Sequence, residues 1–399
     1  MMRHALGPIE SATKSTMSAN GQVESTIKSS RVRQLFARFL VWQEQLARSL
    51  NTGESPRMAR IKLALLAVLL TASVWSASSF QTYGQTSTPG GKTDLQLFGS
   101  VISRMQRGEP YYGAMGQELR AEGYPTASVF NWRTPAWYYA MIWPFTSYLF
   151  IPVTFMAASL SLYQLNRHGS FAQGIALIAL VGASFATHPV VVQATEPVCG
   201  VFIAYSLFAY RRQAWITGAA VAVLALFVRE LAAPYVVVCA AVALRHRRWR
   251  ECAVWVGGAV LYFIYFAWHA HMVTLHQLPG ALSHRESWIQ GGGLRFMLAV
   301  VSSNVLLAAL PTWVTAVTFV SIVAGITSSR LSSHLRACAL IYLAAFAVIG
   351  YPFNWYWGWV PIFAFAVSAG AGAEIIGHQV VLAFKGAGIR PRMPVFLEQ

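Results

Sequence analysis

RRQAWITGAAVAVLALFVRELAAPYVVVCAAVALRHRRWR, residues 211–250, decides the fold. The apolar run from 214 to 244 is flanked by Arg211 and Arg212 on one side and by RHRRWR on the other. Its middle carries two adjacent charges, Arg229 and Glu230. A single crossing would put the two basic clusters on opposite sides of a bilayer, against the positive-inside rule. Two short crossings that meet at Arg229–Glu230 put both clusters inside and the charged pair at the outer end. Charges at that depth are costly unless they are paired or functional.

Apolar runs recur from residue 61 to residue 373, so the expected fold is an all-α polytopic membrane protein. Composition agrees. Hydrophobic residues make up 56% and charged residues 11%, too little charge for a soluble domain. Mean hydropathy is +0.47. The net charge of +16 (30 basic against 14 acidic residues) would suggest nucleic acid in a soluble protein. Here it sits in short loops and sets topology, so no nucleic-acid partner is expected. Cys199, Cys239, Cys252 and Cys338 lie in or beside apolar runs without a CxxC and read as small core residues.

Working outward along the chain gives three parts. Residues 1–56 form a basic tail without a signal-peptide core. Within it, 28–50 is a basic amphipathic helix, with Leu35, Phe36, Phe39, Leu40, Leu46 and Leu50 on one side, suited to an anionic membrane surface. Residues 57–374 form the transmembrane domain, and 375–399 a basic tail with Lys385, Arg390 and Arg392. Arg57, Arg60 and Lys62 before the first span place the N-terminus inside; the basic tail places the C-terminus there too. The polar stretch 81–134 is then a long outer first loop. Its segment from Asp94 to Met105 is amphipathic, with Leu95, Phe98, Ile102 and Met105 on one face, and GEPYYG ends it. The run 135–165, interrupted by Pro144 and Pro152, is one broken crossing with an interfacial first part, or two short ones. The run 296–326, interrupted by Pro311, counts as one crossing. The total is about ten spans, up to twelve.

On this topology the outer face gathers Asp94, Glu109, Glu118, Glu122, Arg133, His188, Glu196, Arg229, Glu230, Arg285 and Glu286. Chemistry is expected on that face, and topology control on the inner one.

Four stretches, in order, resemble the GT-C superfamily of membrane glycosyltransferases, in particular the mannosyltransferase and aminoarabinose-transferase types. TDLQLFGSVISRMQRGEPYY is similar to the family's first loop, where an Asp follows the first span. NWRTPAWYYAMIWPF is similar to the basic, proline-containing start of the next helix, with Arg133 at the basic position and Pro135 as the single proline. ATEPVCGVFIAYSLF resembles the second acidic position before a span, with Glu196 where Asp is commoner. VLALFVRELAAPYVVV resembles a short helix pair with a central basic residue. NWYWGWVPIFAFA is similar to the aromatic outer-face turn of some members. The resemblance covers roughly residues 61–372. It implies a GT-C-like bundle in the inner (cytoplasmic) membrane, working on the periplasmic face. It also implies a polyprenyl-phosphate-linked sugar as donor and a glycan, lipid or protein as acceptor.

Chemistry then suggests roles. Transfer from a lipid phosphate needs a base for the acceptor hydroxyl, and a carboxylate at the membrane boundary supplies one. Asp94 is the candidate; as a structural residue it would be the N-cap of a helix beginning at Leu95. The departing phosphate needs a fixed cation, for which Arg133 and Arg229 are candidates. Glu196 suits a sugar hydroxyl or an arginine partner. His188 and Glu230 lie on the same face, and Tyr111, Tyr112, Trp355 and Tyr356 can stack on sugar rings or form an interfacial belt. His269, His271 and His276 have an H-x-H-x4-H spacing. No DxD, P-loop or GxGxxG occurs, so no divalent metal or nucleotide cofactor is expected. The rival reading is a secondary transporter or flippase for a lipid-linked or anionic substrate, since broken helices with charges suit that class as well.

Overall fold

Helix α1, Pro56–Ser78, opens the bundle in the computed structural model, which describes residues 55–78, 91–185, 188–282 and 287–385. The amphipathic stretch 28–50, the start of the first loop, Arg285, Glu286, Arg390 and Arg392 lie outside the described residues. The described residues all belong to one compact unit, Gly53–Gln399. Among them there is no strand, only an isolated bridge between Ile289 and Ile349.

The first loop folds into two helices, α2 (Asp94–Gln106) and α3 (Tyr111–Ala121), packed on each other. Thr93 caps α2 by accepting from the Gln96 amide, while the Gln96 side chain accepts from the Thr93 amide. This is a reciprocal capping box. Leu97, Phe98, Val101, Ile102 and Met105 are buried on one face. Gly108, at φ +95°, supplies the left-handed turn that stops the helix.

The chain then enters the bundle through α4 (Pro135–Met141), which starts with proline where the missing N–H costs nothing. Pro144 lies in the break and α5 (Thr146–Tyr163) follows. The stretch 135–165 is thus a short first part and one long helix. Helices α6 (Ser170–Ser184), α7 (Thr195–Arg211), α8 (Trp215–Val228), α9 (Ala233–Arg245) and α10 (Trp249–His276) come next. The expected break between α8 and α9 falls at Arg229 and Glu230. Arg229 is extended (φ −155°, ψ 130°), and Pro234 restarts the helix. The carbonyls freed by the break do not go unpaired. Val228 accepts from Thr134 Oγ1 at 2.9 Å and Leu231 from Tyr342 Oη at 2.7 Å. In an apolar medium such carbonyls need a partner.

Two boundaries differ from expectation. The stretch 296–326 breaks twice, giving α11 (Gly293–Val301), α12 (Val305–Ala308) and α13 (Thr312–Ile326). The extra break is made by Asn304, whose side-chain oxygen caps α12 at the Leu306 amide while its Nδ2 donates to Ala179 O. The final helix α15 (Ile362–Lys385), which follows α14 (Ser333–Val348) and a 3-10 turn at Pro352–Trp359, continues past the expected boundary at 374. Glu374 does not end it because its charge is taken by Arg330 at 2.8 Å and by the Gly169 amide at 3.2 Å.

α1, α5, α10 and α15 are long and apolar enough to cross a membrane. α6, α8, α13 and α14 are apolar but shorter. At 1.5 Å per residue a 15-residue helix spans only about 22 Å, less than a hydrocarbon core of about 30 Å. The outward faces carry large apolar side chains, with Val68 68%, Phe155 61% and Phe263 71% exposed. Apolar surface turned outward on helices throughout the bundle marks a helical membrane protein.

The closest helix crossing is α13 on α15, with α6 on the other side of α15. It depends on small residues. A Cβ on Gly372 would stand 1.7 Å from Ser321 O, and one on Gly325 would stand 1.8 Å from Ser368 O. Close backbone approach of this kind drives association where hydrophobicity cannot. Gly372→Val should lower stability by about 3 kcal/mol, read by thermal unfolding in detergent. Gly377→Val on the same helix, where a Cβ meets nothing within 4 Å, should shift it far less.

Candidate functional site

Glu196 sits in the first turn of α7 and is fully buried. Its Oε1 lies 3.2 Å from Arg133 Nη2 and 3.2 Å from Arg229 Nε. Arg133 arrives from the first loop, just before Pro135, and Arg229 from the α8–α9 break. Arg229 Nη1 is also 3.0 Å from Glu230 Oε1. One buried carboxylate therefore joins three separate pieces of chain. Arg133 Nε and Arg229 Nε and Nη1 are buried without an aligned hydrogen-bond acceptor, so these short distances are charge contacts.

The two arginines are held from one side and face a cavity on the other. Its volume is about 600 Å³, and Asp94, Tyr124, Arg133, Arg229, Glu230 and Tyr356 supply its polar groups. Phe98, Phe130, Leu231, Trp288, Phe353 and Trp357 supply apolar wall. Glu196 is not part of that wall. It lies behind the arginines and fixes them. Arg133 also rests over the Phe98 ring at 5.1 Å and donates from Nη2 to Tyr356 Oη at 3.2 Å. Burial opposes its charge, but the Glu196 carboxylate overrides this and holds the guanidinium protonated well above its ordinary range.

Asp94 occupies the first helical position of α2, not the cap. Thr93 takes the capping role expected of it, which leaves the Asp94 carboxylate free to face the cavity. Tyr124 Oη donates to Asp94 Oδ1. Burial, then the nearby Asp94 charge, push the Tyr124 hydroxyl far up, so it keeps its proton and stays a donor. Asp94 also borders a second, smaller cavity of about 180 Å³, shared with Leu95, Val191, Trp355, Tyr356 and Trp359.

Of the expected residues, Asp94, Arg133, Arg229, Glu230 and Tyr356 converge on the larger cavity, and Trp355 on the smaller. Tyr111 and Tyr112 are a correction. They are 1% and 4% exposed and leave no ring face for a sugar. Tyr111 Oη donates to Arg133 O, and Tyr112 Oη to His269 Nδ1 at 2.9 Å. They brace the backbone that carries Arg133. His188 is exposed, lies outside both cavities and accepts from the Val190 amide through Nδ1. His269 is fully buried and its Nε2 donates to Trp132 O at 3.2 Å, so both ring nitrogens are engaged by protein. It pins α10 to the loop; of the H-x-H-x4-H set, His276 shares its helix face and also lies against the Tyr112 ring at 5.5 Å, while His271 is exposed on another face. Sequence reasoning missed Tyr124 and Trp288. Only the Gly-Tyr-Pro turn at 123–125 hinted at the first, and nothing local tied it to Asp94, 30 residues earlier.

A second ion network stiffens the loop on its far side. Glu118 accepts from Lys92 Nζ and Arg104 Nε, each at 2.6 Å, and Lys92 also reaches Glu122 at 3.3 Å. Burial would raise the Glu118 carboxyl, but the hydrogen bonds from Lys92 and Arg104 bring it below its ordinary value.

No family model, curated protein or solved structure matches this chain.

Glu196→Gln removes the charge that two buried arginines share and should destabilise the fold by about 3–5 kcal/mol. Thermal unfolding in detergent checks it. Tyr112→Phe, which loses one neutral hydrogen bond, should cost only about 1 kcal/mol.

Proposed function

We propose that the chain is an inverting glycosyltransferase that moves a sugar from a polyprenyl-phosphate donor to an acceptor hydroxyl, in the manner of the GT-C superfamily. The observation that carries this reading is the shared cavity. One carboxylate, Asp94, and two arginines, Arg133 and Arg229, line a single space with aromatic walls. Arg133 and Arg229 suit a phosphate in that cavity because a guanidinium binds phosphate through fixed, directional donors.

In this mechanism Asp94 takes the proton of the acceptor hydroxyl. The hydroxyl oxygen bonds to the anomeric carbon as the bond from that carbon to the phosphate oxygen breaks. The bonding pair leaves with the polyprenyl phosphate, and Arg133 and Arg229 stabilise the charge that develops there. Attack opposite the leaving phosphate inverts the anomeric centre. Tyr124 is a positioning residue that orients Asp94. Glu196 positions the arginines, and Tyr356, Trp288 and Trp355 border the space available to the sugar.

The same reading places the Asp94 end of the bundle outside the cytoplasmic membrane and both termini inside. It takes the short apolar helices as the remaining crossings. The transporter reading draws on the broken helices, but α8 and α9 break beside the cavity and the charges gather there.

The test is transfer of radiolabelled mannose or aminoarabinose from polyprenyl phosphate to endogenous acceptors in membranes holding the full chain. Asp94→Asn should lower transfer by about 10²–10⁴-fold, the range for loss of a general base. Equal transfer by wild type and D94N would overturn the base. Tyr124→Phe should reduce kcat by about tenfold, the worth of one charge-assisted hydrogen bond, with KM little changed. Absence of transfer together with flux of the labelled lipid across proteoliposomes would replace the reading with transport.

A further inference from the structure

Five helix ends come together at the end of the bundle away from Glu196. α7 ends at Arg211, α8 begins at Trp215, α9 ends at Arg245, α10 begins at Trp249 and α14 begins at Ser333. Seventeen residues of α7 put Glu196 and Arg211 about 23 Å apart. Between these ends lies a second basin of about 810 Å³, bordered by Arg211, Arg248, Arg250, Glu251, His334 and the rings of Trp215 and Trp249.

Its chemistry is that of an anion site. Three guanidinium groups stand against one carboxylate. That carboxylate, Glu251, is 1% exposed and already engaged: Tyr210 Oη donates to it at 2.8 Å, and Arg248 Nη1 lies 3.5 Å away. α14 turns its N-terminus to the basin, with Ser332 capping the Leu335 amide. The independent observation is His334. Its ring stacks on Tyr210 with centroids 4.0 Å apart and is 7% exposed, and its Nε2 has no hydrogen-bond partner. A buried imidazole nitrogen on a basic cavity lacks the partner that a ligand oxygen would provide.

The rim indicates the source of that oxygen. Trp249 is 64% exposed, and Ile216 and Leu244 beside the basin are 63% and 46% exposed. Indole rings next to outward apolar side chains suit headgroup depth. We propose that this basin binds the phosphate of an anionic lipid headgroup, with Arg248, Arg250 and His334 Nε2 as its ligands and Trp215 and Trp249 against the glycerol region. The site is separate from the Asp94 cavity and does not depend on the transferase reading.

Binding tests it without any activity. The full chain is purified, stripped of lipid and offered phosphatidylglycerol or phosphatidylcholine, and retained lipid is counted by native mass spectrometry. Phosphatidylglycerol should be held at least tenfold better than phosphatidylcholine, a preference equivalent to about one surface cation or more. Arg248→Gln with Arg250→Gln should weaken it roughly thirtyfold, the worth of two such cations. His334→Phe keeps the stack on Tyr210 and should also weaken it, while monodispersity shows that the variant folds. Arg57→Gln with Arg107→Gln removes the same charge elsewhere and should leave retention unchanged. Equal retention of the two lipids, or unchanged retention in both basin variants, overturns the proposal. Displacement of phosphatidylglycerol by an equal concentration of inorganic phosphate overturns the lipid source and makes the basin a site for a soluble anion.

Discussion

The buried contact of Glu196 with Arg133 and Arg229 is the constraint on which the rest of the site depends. Removing a carboxylate and two guanidinium groups from water costs several kcal/mol per ion, and attraction between them offsets this only at close range. The contact therefore ties the first loop, the start of α7 and the α8–α9 break into one arrangement. Other features support it. Thr134, next to Arg133, bonds the carbonyl of Val228, next to Arg229. Tyr111 holds the Arg133 carbonyl, and Phe98 lies under its guanidinium. The backbone pairing and the ion contact specify the same geometry twice. A loop that would otherwise be free to move against the bundle is fixed at the residues that face the cavity.

The break in the apolar run at Arg229–Glu230 is the counterpart of that contact. A continuous helix through 214–244 would bury both charges without partners. Ending α8 at Val228 exposes carbonyl groups, and two hydroxyl side chains from elsewhere take them up. The break was legible because it needed only local information: basic clusters at both ends, paired charges in the middle and a proline four residues later. The amphipathic face of α2 was legible for a similar reason, since a period near 3.6 shows in sequence whatever it packs against.

What stayed hidden depended on distant partners. Thr93 and Asp94 are both good caps, and nothing local says which takes the role. The choice rests with Gln96, which completes the reciprocal pair with Thr93. Tyr111 and Tyr112 belong to a residue type common at membrane interfaces, yet both turn inward because Arg133 and His269 await them. Asn304 in an apolar run gave no sign of being a cap. Its role follows from α6, whose Ala179 carbonyl it reaches across 125 residues of chain.

The site's charges also follow from helix polarity. The break at Arg229–Glu230 brings the C-terminus of α8 and the start of α9 together, and Glu196 at the N-terminus of α7 contacts Arg229 there. A helix N-terminus favours a carboxylate and a C-terminus a cation, each by about 0.3–1 kcal/mol and more when partly buried. Glu196 lies in the first turn of α7, Glu230 just before α9, and Arg229 at the end of α8. Asp94 opens α2 in the same sense. The mixture of signs that lets Glu196 and Glu230 hold Arg229 is therefore what antiparallel helices favour at a shared end. The opposite end obeys the same rule, with Arg211 and Arg245 in the last turns of α7 and α9. Glu251, in the first turn of α10, follows the same polarity, whereas Arg248 and Arg250 beside it run against it. Backbone dipoles thus favour the placement of Glu196, Arg229 and Glu230 at the cavity end, and the ion contacts there build on that placement.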